Sequence, residues 1–235
     1  MDEINKMFSK ISSEYDFMNH LLSFNFDKSW RTEAAKEAIM PKREYSVIDI
    51  AAGTGDLSME VVKLAEGSGK RVKVYAYDFN KDMLAAAKEK FARAGMKNIK
   101  IEHGNAVDIR HKSGSVDVVI SGFAMRSLMY SKGGKRNLQK FVSEAYRILS
   151  PKGKVILLDM AMPDKKLNRE FFKVYSVFMV AAGSFVDKDT YAWLVRTIKS
   201  FDKNMLADMM KSTGFKNVKV RSLKSGIAFV AIGEK

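Results

Sequence analysis

The chain has 235 residues, 46% of them hydrophobic, which is enough for one domain with a substantial core. It contains no cysteine, so disulfides, thiolate catalysis and cysteine-ligated metal sites are excluded. The net charge of +14 is uneven: residues 132–235 carry 21 basic and 9 acidic side chains, whereas residues 1–45 carry 7 and 8.

The first predicted element is a helix over 4–24, where Phe8, Ile11, Tyr15, Met18 and Leu22 form one apolar stripe. Asp27 reads as the cap of a second helix reaching about Ile39, with Trp30, Ala34, Ala35 and Ala38 facing inward and Pro41 ending it. Strands and helices then alternate. Strands are predicted at 46–51, 72–78, 99–104, 116–122 and 154–161. Helices are predicted at 56–66, at 80–95 with Asn80 as cap, and at 134–153 with a Pro-Lys-Gly turn at its end. Residues 165–213 break the rhythm with three helices, 167–182, 187–201 and 204–214. The chain closes with a hairpin, 218–223 and 226–234, turning at Lys224–Ser225. This order predicts an α/β fold. Its sheet is doubly wound, mostly parallel, seven-stranded and Rossmann-like, with an antiparallel last strand. The domain is single: an N-terminal helical cover (1–40), a cofactor-binding core (46–161), a helical insertion (165–213) and the hairpin.

"VIDIAAGTGDLS" (47–58) joins the first strand to the helix after it. Gly53 and Gly55 permit a tight turn and close approach of a ligand to the backbone. Asp78 ends the next strand, where a carboxylate can accept both hydroxyls of a ribose. Dinucleotide and adenosylmethionine binders share such a turn. Two features favour the second. Ser58 stands where the dinucleotide fingerprint has a third Gly or Ala, and Asp49 and Asp56 flank the turn. Carboxylates there disfavour a pyrophosphate and favour a sulfonium and an ammonium. Asn105 and Ala106, after the third strand, suit an adenine edge. After the fourth, Ser121 lies beside the methionine part and Arg126 faces the substrate. His103, inside a strand segment, reads as structural.

These stretches resemble the ubiquinone/menaquinone biosynthesis C-methyltransferase family. The resemblance runs over nearly the whole chain: "FSKISSEYDFMNHLLSFNFDKSWR", "DIAAGTGDLS", "GNAVDI", "FAMRSL", "YAWLVRTIKSF", "MMKSTGF" and "LKSGIAFVAIGEK". It implies S-adenosyl-L-methionine as cofactor, with Thr54, Asp78, Asn105, Ala106 and Ser121 among its binding positions, and methyl transfer to a ring carbon of a prenylated quinol, first of all demethylmenaquinol. Arg126 is then the group that stabilises the phenolate, and Asp56, Tyr15 and Tyr191 are candidates for the base. The family's Arg-Asn is Arg126-Ser127 here and its Ser-Ile is Thr197-Ile198, both on the substrate side. Another small-molecule or lipid acceptor, or RNA, are the rival substrates; no appended RNA-binding module or flipped-base motif is present, so no nucleic-acid partner is expected.

No run of about 18 uncharged apolar residues occurs, and Asp2 and Glu3 stand where a secretory signal would be basic. The expected location is the cytoplasm. The basic last third and the greasy 167–185 segment add an expectation of peripheral contact with an anionic membrane at its inner face. A homodimer is also compatible with the sequence.

Overall fold

The computed structural model describes residues 9, 16, 20, 23–224 and 226–235, excluding the side chains of 182 and 184–186. The expected helix over 4–24 lies almost wholly outside the described residues, and Tyr15 with it.

Helix α1 (Phe26–Glu37) leads into β1 (Glu44–Ile50), α2 (Asp56–Gly67), β2 (Arg71–Asp78), α3 (Lys81–Arg93), β3 (Ile99–His103) and β4 (Val116–Gly122). There follow α4 (Met125–Met129), α5 (Gly134–Ile148), β5 (Leu149–Met160), α6 (Lys166–Ser200), α7 (Lys203–Thr213), β6 (Lys216–Ser222) and β7 (Ala228–Glu234). The sheet order is β3-β2-β1-β4-β5-β7-β6; β7 lies antiparallel to both neighbours and the other pairings are parallel. β1 and β4 are central and buried on both faces, as their near-continuous apolar runs require. One core layer joins Ile48, Ile50, Phe141 and Leu157 with the α5 and α7 side. The other joins Val47, Ile120 and Ile156 with Trp30, Ala34 and Ala35 of α1 and Val61 of α2.

Asn80 caps α3 as its sequence indicates, accepting from the backbone N–H groups of Asp82 and Met83. Several features differ from expectation. Asp27 does not cap α1: Asn25, in a left-handed conformation at φ 60°, takes that place. Asp27 sits in the first turn, buried, where it pairs with Arg31 and accepts from Ser23 Oγ at 2.6 Å. Burial alone would raise its pKa, but Arg31 and the Ser23 hydrogen bond hold it below the usual carboxylate range. Helix α5 stops at Ile148, not 153, because Pro151 cannot extend it and biases the residue before it to extended backbone. The Pro-Lys-Gly segment becomes an irregularity inside β5, with Lys152 at φ 65°. The short α4 was not evident from the sequence. The first two insertion helices form one run, α6, broken at Asp187 (φ −159°, ψ 101°). Asp187 Oδ1 accepts from the N–H groups of Asp189 and Thr190 and so starts the second arm.

Candidate functional site

The carboxyl ends of β1, β2 and β4 converge on the loop 51–55. Ala51 adopts φ 58° and Phe123 φ 62°, so both central strands end in a left-handed residue that lacks glycine's freedom. Backbone strain of this kind gathers at binding sites. Gly55, at φ 84°, is held to glycine by space as well: a Cβ there would come within 2.2 Å of the Phe91 ring. Gly53, at φ 57°, faces open space, since a Cβ would meet nothing within 4 Å.

Two carboxylates frame that space. Asp49 is buried in β1; Ser58 Oγ donates to its Oδ2 at 2.7 Å, while its Oδ1 is buried with no hydrogen-bond partner. Burial pushes its pKa up to about 7, and the charge of Asp78 adds to the rise. Asp78 accepts from the N–H of Gly53 and the N–H of Asn80, each at 2.7 Å, and so sets the shape of both loops. Burial raises its pKa too.

Asp56 opens α2, with Oδ1 2.6 Å from Lys90 Nζ and Oδ2 3.9 Å from Arg31, and that Oδ2 has no hydrogen-bond partner. Described residues of the N-terminal segment reach the same ground. Thr54 Oγ1 donates to Asp16 Oδ1 at 2.6 Å, Lys90 also pairs with Asp16, and Asn80 Nδ2 donates to Ser9 Oγ at 2.9 Å. On a chain of net charge +14, this is a locally acidic hollow. An orphaned buried carboxylate oxygen and open space at Gly53 fit a ligand that brings an ammonium and a sulfonium, as S-adenosylmethionine does, and do not fit a pyrophosphate.

The other expected binding residues sit at the same sheet edge. Ser121 is buried and donates to the Ile50 carbonyl at 2.6 Å, which pins β4 to β1 beneath the loop. Asn105 Oδ1 accepts from Val107 N–H at 3.1 Å and shapes its own turn, and Ala106 is half-buried against the core. His103 is exposed; Nε2 lies 3.0 Å from the Phe79 carbonyl and the ring stacks on Phe79.

The substrate-side residues are more dispersed. Arg126, 3% exposed, sits with Nε 2.5 Å from Asp159 Oδ1 and donates from Nη1 to Thr197 Oγ1 at 3.2 Å. It thereby ties α4 to β5 and to the second arm of α6. Asp159 is fully buried and was not singled out from the sequence; an acidic residue ending a core strand opposite a buried arginine is the signal that could have found it. Tyr191 is buried beside Phe172, Met179, Val195 and Ile198, its ring packed close against Gly183.

The family model for the ubiE/COQ5 methyltransferase family matches residues 1–235. The chain belongs to that family. It is a methyltransferase, and S-adenosylmethionine is its methyl donor. A demethylmenaquinone methyltransferase of Oceanobacillus iheyensis is 31% identical over 238 residues, covering 100% of this chain and 95% of that one. The ubiquinone/menaquinone biosynthesis C-methyltransferase UbiE of Rickettsia akari is 28% identical, covering 99% and 92%. Among solved structures, a SAM-dependent methyltransferase from Aquifex aeolicus aligns with TM-score 0.59 at 19% identity, over 86% of this chain and 88% of that one. Phosphoethanolamine N-methyltransferase 2 of Haemonchus contortus, in complex with S-adenosylhomocysteine, aligns with TM-score 0.56 at 19% identity, over 81% and 38%. These likenesses establish the fold, and the family model establishes the enzyme class.

Proposed function

We propose that the acceptor is a prenylated quinol, first of all demethylmenaquinol, methylated at a ring carbon. Relatives that carry this activity in their names support the reading, and one local observation carries it: a wall of rings beside the cofactor loop. Phe26 stacks on Trp30 with centroids 6.4 Å apart, and Trp30 meets Phe123 at 6.4 Å. The Arg31 guanidinium lies 5.4 Å from the Phe123 centroid. Phe24 packs on Tyr175 of α6 at 5.7 Å. Trp30 Nε1 and the Tyr175 hydroxyl are both buried without a hydrogen-bond partner. An aromatic-lined apolar surface with few polar groups suits an aromatic ring bearing two oxygens.

When bound, the cofactor supplies an electrophilic methyl on a sulfonium. The acceptor carbon becomes nucleophilic once the neighbouring ring hydroxyl loses its proton; the new C–C bond forms as the methyl–sulfur bond breaks, and the hydrogen on that carbon then leaves as a proton, which restores the aromatic quinol. Asp49 and Asp78 orient the donor by charge, and a fixed approach of carbon to methyl contributes several kcal/mol. Asp56 takes the proton, since its Oδ2 holds no hydrogen bond and opens α2 beside the loop. Arg126, held rigid by Asp159 and Thr197, has its charge already paired with Asp159, so what it offers the phenolate is its remaining guanidinium N–H donors. Tyr191 packs among Phe172, Met179, Val195 and Ile198 between the arms of α6, and Tyr15 remains a second candidate for the base.

The test uses purified enzyme, methyl-labelled S-adenosylmethionine and a panel of reduced demethylquinones. Label recovered in menaquinol is the expected result. A cofactor-dependent rise in melting temperature with no label in any quinol would overturn the acceptor assignment and leave the cofactor site standing.

A further inference from the structure

Seven large hydrophobic side chains are exposed among the described residues, and all seven lie in one region. Five are on the first arm of α6: Leu167 at 81% exposure, Phe171 at 67%, Val174 at 76%, Val177 at 70% and Phe178 at 54%. The other two are Phe24 at 62%, in the turn before α1, and Phe26 at 41%, the first residue of α1; Phe24 touches this arm through Tyr175. Residues 167, 171, 174 and 178 follow the three-and-four spacing of one helix face. The opposite face is accounted for, because Phe172, Ser176 and Met179 are buried. Phe24 is itself displayed by a left-handed backbone at φ 51°, an uncommon conformation for a bulky residue. The stripe is therefore a built surface, larger than the isolated apolar residues of an ordinary exterior.

We infer that this stripe inserts into the surface of an anionic lipid bilayer. Charge decides between the occupants. A second copy would set two chains of net charge +14 against each other, and residues 132–235 supply most of that excess. An anionic leaflet attracts the same charge. Lys165 and Lys166 are exposed at the N-terminal end of the stripe, and exposed Lys173 lies along the same arm, paired with Glu170 at 2.8 Å. An apolar face with Phe and Leu, bordered by lysines, is the pattern of a helix lying in a membrane interface. No helix among the described residues is long and apolar enough to cross a membrane, so the stripe lies in the interface plane. The arm thus sits on the lipid with the ring wall beside it, whatever the acceptor is.

The experiment is sedimentation with vesicles of phosphatidylcholine, with or without phosphatidylglycerol, and with no acceptor present. Wild-type enzyme is expected to bind the phosphatidylglycerol vesicles at low salt and to lose about tenfold in affinity in F171E/V174E. K165E/K166E is expected to weaken binding to anionic vesicles only. Both variants change exposed positions and keep the wild-type melting temperature and its rise with S-adenosylmethionine, which separates loss of docking from loss of fold. Equal binding of wild type to neutral and anionic vesicles, unchanged binding in F171E/V174E, or a wild-type dimer that this substitution dissociates without any vesicle binding would each overturn the inference.

Discussion

Asp49→Asn separates binding from stability. In the ligand-free enzyme the Asp49 carboxyl has moved from its ordinary 3.8 to about 7, with burial the main cause. Such a displacement corresponds to about 4 kcal/mol of preference for the neutral form. The folded pKa lies above the unfolded one, so the folded chain holds more protons between about pH 4 and pH 7. Stability is full below that window, falls as pH rises through it, and is flat above about 7. Asparagine removes the charge. It also places an NH2 donor where Oδ1 has no partner, at a cost of about 1–3 kcal/mol. Ser58 can still donate to the remaining oxygen. The net expectation at pH 8 is a ligand-free variant more stable by about 1–3 kcal/mol, or about 3–9 °C in a chain of this size. At pH 4 the gain disappears, because the wild-type carboxyl is then neutral. The variant also loses the carboxylate that faces the cofactor's cation, so S-adenosylmethionine no longer raises its melting temperature. Thermal scans at pH 4 and pH 8, with and without cofactor, read all four quantities. A variant less stable than wild type at pH 8, or one that keeps the full cofactor-induced rise, would refute the reasoning.

Arg126→Met leaves Asp159 buried without its cation and should cost about 3–5 kcal/mol in urea denaturation, most of it recovered in Arg126→Met/Asp159→Leu. Ala51→Gly relieves a left-handed residue at the end of β1 and should stabilise by up to about 1 kcal/mol, with cofactor affinity unchanged. Gly53→Ala and Gly55→Ala test the loop as a pair. The first meets open space and costs about 1–2 kcal/mol of backbone strain; the second also drives a Cβ into Phe91 and should cost at least about 2 kcal/mol more. Equal losses in the two would remove Phe91 from the account.

The alternation of strands and helices was legible because both central strands are buried on both faces and read as apolar runs. The cofactor loop was legible because its chemistry is local: Gly53, Gly55 and Asp49 lie within seven positions. What escaped was long-range pairing. Asp159 meets Arg126 across 33 positions and Thr197 meets it across 71, and no periodicity links them. Asp27 read as a cap because caps and ion-pair partners use the same residue type, and only the fold chooses between them. Phe24 and Phe123 each occupy a left-handed turn that their identity disfavours, and nothing in the sequence marks them for it. Strain of that sort is visible only in the backbone.

The contacts of Ser9 with Asn80 and of Asp16 with Thr54 and Lys90 span the rim of the cofactor hollow. A partly exposed polar contact contributes about 0.5–1.5 kcal/mol net, so the three together hold Ser9 and Asp16 against the loops that follow β1 and β2 by about 2–4 kcal/mol. The two loops are thus braced from outside by residues far ahead of them in the chain, so a substitution at Ser9 or Asp16 is felt at Asn80 and Thr54 without entering the core.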